Sequence, residues 1–110
     1  MELNFTRDGL DHFGMRLTRY IEDWLGIEVY GFVDVKKDED RMNRYYLLIT
    51  VEGKYNPEEV VGKLDEGFGI GGFIYNDFRK EFECIVNREG LRKIYTLCKM
   101  LGVEETRRLG

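Results

Sequence analysis

Hydrophobic residues near the N terminus are spaced like the buried face of a helix. They recur at steps of three and four residues, which places them on one side of a helical segment. The residues on this face are Leu10, Phe13, Leu17, Ile21 and Trp24. We expect Asp8 or Asp11 to cap the start of the helix and Gly26 to end it.

Two later regions show the two-residue alternation of β-strands. Residues 27–36 predict a first strand, 37–43 a polar hairpin tip, and 45–52 the returning strand. A second hairpin is predicted between strands at 71–75 and 82–87. The inward residues of the first strand are expected to be Ile27, Val29, Val33 and Val35.

A helix is predicted after each hairpin. Asn56 suits the N-cap of the middle helix, because Pro57 follows it and Glu59 stands three residues after it. The buried residues of this helix are expected to be Val60, Val61, Leu64 and Phe68. The last helix is predicted between about Gly90 and Leu101. Its inward residues are Leu91, Ile94, Leu97, Cys98 and Leu101.

The order of these elements, α-β-β-α-β-β-α, predicts an α+β fold. Two consecutive β-β-α units with no linker between them should share one four-stranded antiparallel sheet, with the helices on one face. We therefore expect a single domain over residues 1–110, with residues 103–110 as a loose C-terminal tail.

Composition narrows the class of protein. Of the 110 residues, 43% are apolar, which is enough to fill one core. No apolar run approaches the ~18 residues of a membrane span, and the N terminus has no signal-peptide pattern. Cys84 and Cys98 stand among apolar residues, which predicts two buried, reduced thiols. These features predict a cytoplasmic protein without a membrane association.

Several kinds of chemistry find no support in the sequence. The chain contains no Ser, which excludes a serine nucleophile, and its single histidine, His12, suits a surface or capping role. Residues 67–72 are rich in glycine, but they follow a helix and precede a strand, unlike a phosphate-binding loop. We expect no cofactor and no metal site. The chain also lacks Gln while Glu, Lys and Arg are plentiful, which is typical of a thermophile protein.

The net charge of −4 opposes binding to nucleic acids, since phosphate contacts dominate their affinity. Basic residues gather at the two predicted hairpin tips. They are Lys36, Lys37, Arg41 and Arg44 in the first hairpin, and Arg79 and Lys80 in the second. We expect any DNA binding to be weak, sensitive to salt and carried by these six residues.

Alternation also predicts which side chains point away from the helices. The expected interaction face contains Tyr30, Phe32, Tyr46 and Leu48. Five carboxylates should accompany them, namely Glu28, Asp34, Glu52, Glu81 and Glu83. Two interpretations stay open, since the aromatic residues are either covered by a partner, such as a second copy in a homodimer, or scattered on the surface.

The segment 61–75, Val-Gly-Lys-Leu-Asp-Glu-Gly-Phe-Gly-Ile-Gly-Gly-Phe-Ile-Tyr, resembles the LAGLIDADG homing-endonuclease domains. In that family a helix often ends in a similar Phe-Gly-x-Gly-Gly turn into the third strand. The strand Phe82–Val86 and the helix from Leu91 are also similar, as is the order of elements. The resemblance covers about residues 20–101 and implies the LAGLIDADG fold.

The resemblance also implies a link to nucleic acids. In the family a carboxylate at a helix end holds a divalent metal that cleaves DNA, and this motif would lie within residues 24–32. Tyr30 stands where the family has its acid, and Glu28 is the nearest carboxylate. The function expected is a nucleic-acid-associated domain without nuclease activity. Glu28 is the candidate catalytic residue, and Mg²⁺ is required only if cleavage is retained. The alternative is a non-catalytic interaction or dimerisation module.

Overall fold

A computed structural model describes residues 2–103 and shows the predicted α+β fold. The elements follow the order α-β-β-α-β-β-α. They are α1 (Arg7–Trp24), β1 (Asp34–Lys37), β2 (Tyr45–Ile49), α2 (Pro57–Phe68), β3 (Ile74–Asn76), β4 (Glu81–Val86) and α3 (Arg88–Met100). The four strands form one antiparallel sheet in the order β1-β2-β4-β3.

Alternate residues of the central strands lie under the helices and form the core. Leu47, in β2, pairs with Val35 on one side and Cys84 on the other, and all three side chains are buried. Tyr45 and Ile49 flank Leu47 on the same strand and are buried as well. The helices contribute residues such as Leu17, Leu64 and Leu91 to the same core.

The first helix begins earlier than the sequence predicted. Thr6 is its N-cap, because the Thr6 hydroxyl accepts a 3.1 Å hydrogen bond from the Gly9 N–H group. The predicted caps Asp8 and Asp11 are therefore wrong, and Asp8 instead lies in the first turn. The other end agrees with prediction, since the helix stops just before Gly26, whose φ is +69°.

Trp24 is not part of the buried stripe of α1. Its side chain is 54% exposed, whereas Ile21, three residues earlier, is fully buried. The neighbouring Leu25 packs against the core instead. It fills the space beside Gly67 of α2, which has no side chain. A Cβ atom at Gly67 would lie 2.5 Å from Leu25 Cδ2, so the glycine makes this contact possible.

The caps of the other two helices come from asparagine side chains. Asn56 caps α2 as predicted, because its Oδ1 accepts hydrogen bonds from the N–H groups of Glu58 (2.9 Å) and Glu59 (3.3 Å). Asn87 caps α3 through the Gly90 N–H group (2.8 Å), so this helix starts at Arg88 rather than near Gly90. In the predicted stripe of α2 only Val61 is half-buried, while the other three residues are buried.

The predicted first strand is interrupted by a bulge. Asp34 pairs with Leu48, and Val29 pairs with Val51. The chain therefore advances five residues from Val29 to Asp34 while the opposite strand advances only three, which defines a bulge. Gly31, with φ +75°, lies within this bulge. The predicted inward residues are nevertheless all buried, namely Ile27, Val29, Val33 and Val35.

Two further predictions concern the cysteines and the C-terminal tail. Cys84 and Cys98 are buried and form no disulfide, as predicted. Burial raises the pKa of Cys98 to about 12. Val103, predicted as the first tail residue, is buried, and its N–H group donates to the Cys98 carbonyl (2.9 Å). The rest of the predicted tail lies outside the described residues. Within residues 2–103, every helix is too short or too polar to cross a membrane.

Candidate interaction surface on the sheet

The side of the sheet that faces away from the core forms a distinct surface, here called the outer sheet face. Its residues alternate along each strand with buried ones, and they are themselves exposed or half-buried. The register aligns Lys36, Tyr46 and Ile85 in one row across three strands. The whole face consists of Asp34, Lys36, Tyr46, Leu48, Ile74, Asn76, Glu81, Glu83 and Ile85.

Apolar side chains occupy neighbouring positions on this face. Ile74 is 56% exposed and Ile85 is 49% exposed. Leu48 lies in the row next to Tyr46 and Ile85, where it pairs with Asp34 on one side and Glu83 on the other. Isolated surface leucines or isoleucines need no explanation, but apolar residues grouped on one sheet face are typical of an interaction surface.

The predicted interaction residues occupy two different settings. Tyr46 and Leu48 lie in adjacent rows of the outer sheet face. Tyr30 and Phe32 lie in the bulge before β1, where they are 67% and 46% exposed. The Tyr30 N–H group donates to the Thr50 carbonyl at 2.8 Å, which holds the bulge at the end of β2.

The charges of the outer sheet face are mainly negative. Lys36 is its only cation, and Lys36 Nζ lies 3.7 Å from Asp34 Oδ2. On the other side, Glu81 and Glu83 stand on β4. Within residues 2–103, Glu81 Oε1 is buried and accepts no hydrogen bond, and its nearest cation, Arg79 Nη1, is 3.6 Å away. The face therefore carries three carboxylates, Asp34, Glu81 and Glu83, against one lysine.

Most of the basic residues predicted to bind nucleic acid are paired within their own hairpins. Arg44 Nε lies 3.4 Å from Asp38 Oδ2, and Lys80 Nζ lies 3.2 Å from Asp77 Oδ1. Lys36 and Arg79 are also paired, as described above. Backbone N–H groups, first that of Asp40, hold the pKa of Asp38 below its usual value. These acids oppose phosphate binding at both tips.

Two of the six basic residues differ from the rest. In the part of the chain that the structure describes, neither Lys37 nor Arg41 forms an ion pair.

The two hairpin tips lie at opposite ends of the sheet. The first precedes Tyr45, which pairs with Val86 at the end of β4, while the second precedes Glu81 at the start of β4. The six residues therefore do not form one patch.

The predicted nuclease position does not contain a metal site. Across residues 2–103, no group of three or more His, Cys, Asp and Glu side chains is arranged to hold a metal. Glu28 is exposed, and its carbonyl accepts a 3.0 Å hydrogen bond from the Glu52 N–H group. Tyr30 stands six residues beyond the end of α1, so neither it nor Glu28 lies at a helix terminus.

A group of cations on α1 and α3 was not predicted. The guanidinium groups of Arg88 and Arg92 lie 4.8 and 5.2 Å from the centre of the Phe5 ring. On the other side, Arg16 Cζ lies 5.2 Å from the centre of the Tyr95 ring. The signal was present in the sequence, because α3 carries four basic residues and one acid in a chain of net charge −4.

Comparisons with known proteins do not identify a function for these surfaces. No protein-family model, curated protein or solved structure matches the chain. The resemblance to the LAGLIDADG domains therefore stays a prediction that depends on the sequence segments named above.

Proposed function

We propose that this protein is a non-catalytic interaction module that forms a homodimer through the outer sheet face. The observation that carries the proposal is the grouping of Ile74 and Ile85, each about half exposed, with Tyr46 and Leu48 in adjacent rows of one sheet. Removing apolar surface from water is worth about 25 cal/mol per Å², so a second apolar surface placed here is stabilised.

The face carries charges of both signs, although its three carboxylates outnumber its one lysine. It carries Lys36 on β1 and Glu81 and Glu83 on β4, so each copy supplies both signs. In a twofold dimer the same patch contacts itself, and the lysine of one copy can approach the carboxylates of the other.

The size of the face predicts a weak dimer. Four strands about 4.8 Å apart and a ladder about 20 Å long give roughly 400 Å². A standard interface buries about 800 Å² on each partner. Tyr30 and Phe32, exposed in the bulge beside β2, extend the apolar surface beyond the ladder. We expect micromolar or weaker association in which these two residues take part.

Sedimentation velocity over a wide range of protein concentration tests the proposal. The wild-type protein should shift from monomer toward dimer, and Ile85→Lys should remain monomeric because it buries a charge in the interface. Met42→Lys is the matched control, since Met42 is 93% exposed at the tip between β1 and β2, away from the face. A wild-type protein that stays monomeric at all concentrations would contradict the homodimer.

Association with nucleic acid is the second candidate function. Two observations favour it, namely the α-β-β-α-β-β-α order on which the LAGLIDADG resemblance depends, and the absence of ion pairs at Lys37 and Arg41 within residues 2–103. The carboxylates of the outer sheet face oppose it. In this candidate function the domain binds duplex DNA weakly and does not cleave it, with or without Mg²⁺.

A further inference from the structure

The start of α3 carries two arginines without a carboxylate partner within residues 2–103. The chain has 21 acidic residues against 17 basic ones, yet neither Arg88 nor Arg92 forms an ion pair in this part. Glu89 lies between them on the same helix and pairs with neither. At the hairpin tips, by contrast, four of the six basic residues are paired with nearby acids.

The helix gains no stability from these two charges. Arg88 is its first residue, directly after the N-cap Asn87, where the helix dipole favours a negative charge. Arg92 follows four residues later, so the two side chains share a face, and like charges at this spacing repel each other. Residues that break such local rules together are typical of a functional site.

Aromatic side chains hold both guanidinium groups at the same place. Arg88 Cζ lies 4.8 Å from the centre of the Phe5 ring, and Arg92 Cζ lies 5.2 Å from it. The Phe5 ring packs on Tyr45 at a centroid distance of 5.6 Å, and Tyr45 is buried in the core. Both Cζ atoms thus lie within 5.2 Å of one point, which lets the two side chains contact a single anion.

The hydrogen bonds of Arg88 fix its orientation and leave donors for a ligand. Its Nε–H group donates to the Tyr45 hydroxyl at 3.1 Å, and its backbone N–H group donates to Asn43 Oδ1 at 2.7 Å. A guanidinium group has five N–H donors in one plane, so the N–H groups of both Nη atoms stay available. Arg92 presents its face to the Phe5 ring, which leaves its N–H groups at the edge.

The charge of the pair favours one class of anion. Two guanidinium groups match the double negative charge of a phosphate dianion, whereas a carboxylate or a phosphate diester neutralises only one of them. Guanidinium groups also bind phosphate oxygens through pairs of parallel hydrogen bonds. The dipole of α3 favours the same sign of charge at this end of the helix.

We propose that Arg88 and Arg92 together bind a phosphate dianion, either free phosphate or the end group of a monoester. The site is independent of the homodimer interface, because α3 packs on the core side of the sheet and neither arginine belongs to the outer sheet face. Both arginines are exposed, so water and salt compete with the anion, and we expect millimolar affinity.

Nuclear magnetic resonance titrations at constant ionic strength test the choice of anion. The probes are inorganic phosphate, phenyl phosphate, dimethyl phosphate and acetate. At about pH 8 the first two are mainly dianions, whereas the other two are monoanions. We expect the Nε–H and backbone signals of Arg88 and Arg92 to shift saturably, with about tenfold or higher affinity for the dianions. Tighter binding of phenyl phosphate identifies a monoester as the ligand, and tighter binding of inorganic phosphate identifies free phosphate.

Substitutions place the binding at the two arginines. Arg88→Gln with Arg92→Gln should lower the affinity for inorganic phosphate about tenfold or more. Arg92→Gln alone keeps the hydrogen bond between Arg88 and Tyr45 and should cause a smaller loss. Arg79→Gln with Lys80→Gln removes the same charge at the other end of β4 and should leave the affinity unchanged. Equal affinity for acetate, shifts without saturation, or an equal loss in the control variant would each overturn the proposal.

Discussion

Strand β4 sends Phe82 and Cys84 to one face of the sheet and Glu83 and Ile85 to the other, and the two sets meet different surroundings. Phe82 is fully buried and packs on the Tyr75 ring at a centroid distance of 4.6 Å. Ile85, three residues later, is 49% exposed and lies opposite Tyr46 of β2. The inner face therefore accounts for the stability of the monomer, whereas apolar residues of the outer face stay in contact with water.

The largest expected effect contrasts these two faces directly. Phe82→Ala should lower the free energy of unfolding by about 3–5 kcal/mol, because it leaves a cavity in the core. Ile85→Ala should cost less than about 1 kcal/mol in the monomer, as is usual for surface positions. Urea unfolding at a concentration where the protein is monomeric measures both. Equal losses for the two variants would show that the outer face is also covered within one chain.

A smaller effect is expected in DNA binding. Only Lys37 and Arg41 among the six predicted basic residues lack an ion pair within residues 2–103, so about two phosphate contacts and a log–log salt slope near −1.8 are expected. Fluorescence anisotropy of a labelled duplex at several salt concentrations measures this slope.

Two pairs of variants sharpen the DNA prediction. Arg79→Gln with Lys80→Gln should hardly change the slope, since Glu81 and Asp77 already neutralise these residues. Asp77→Asn with Glu81→Gln should make it steeper by releasing both cations. A slope of about −4 or steeper that falls when Arg88 and Arg92 are replaced would instead place a nucleic-acid surface on α3.

Features that depend on neighbouring residues in the chain were predicted well. Asn56 and Pro57 indicate the start of α2 because an N-cap uses only the N–H groups that follow it. The glycines around residue 70 lie between a helix and a strand, as predicted, and Gly69 is the left-handed C-cap of α2. The element order and the inward residues of the strands were likewise predictable from periodicity.

Features that depend on distant contacts were missed. Trp24 was placed in the core because the sequence does not show that Leu25 fills the gap at Gly67. The bulge at Gly31 depends on the pairing of Val29 with Val51, which no local pattern encodes. The spacing of apolar residues alone predicted an unbroken strand there.

The surfaces show the same division. The alternation of β2 correctly assigned Tyr46 and Leu48 to the outer sheet face, but the basic residues at the tips were counted without their acids. The group of cations on α1 and α3 was missed because it joins residues far apart in the chain, such as Arg16 and Tyr95. The basic composition of α3 was its signal in the sequence.

Backbone amide NMR shifts, measured while the protein is diluted from millimolar to micromolar concentration, test the homodimer interface most directly. The outer sheet face predicts that the shifts of Tyr46, Leu48, Glu83 and Ile85 change with concentration, together with those of Tyr30 and Phe32 in the bulge. The amides of α3 should stay constant through the same dilution. Shifts confined to α1 and α3, or none at any concentration, would contradict the proposal that the domain associates through its sheet.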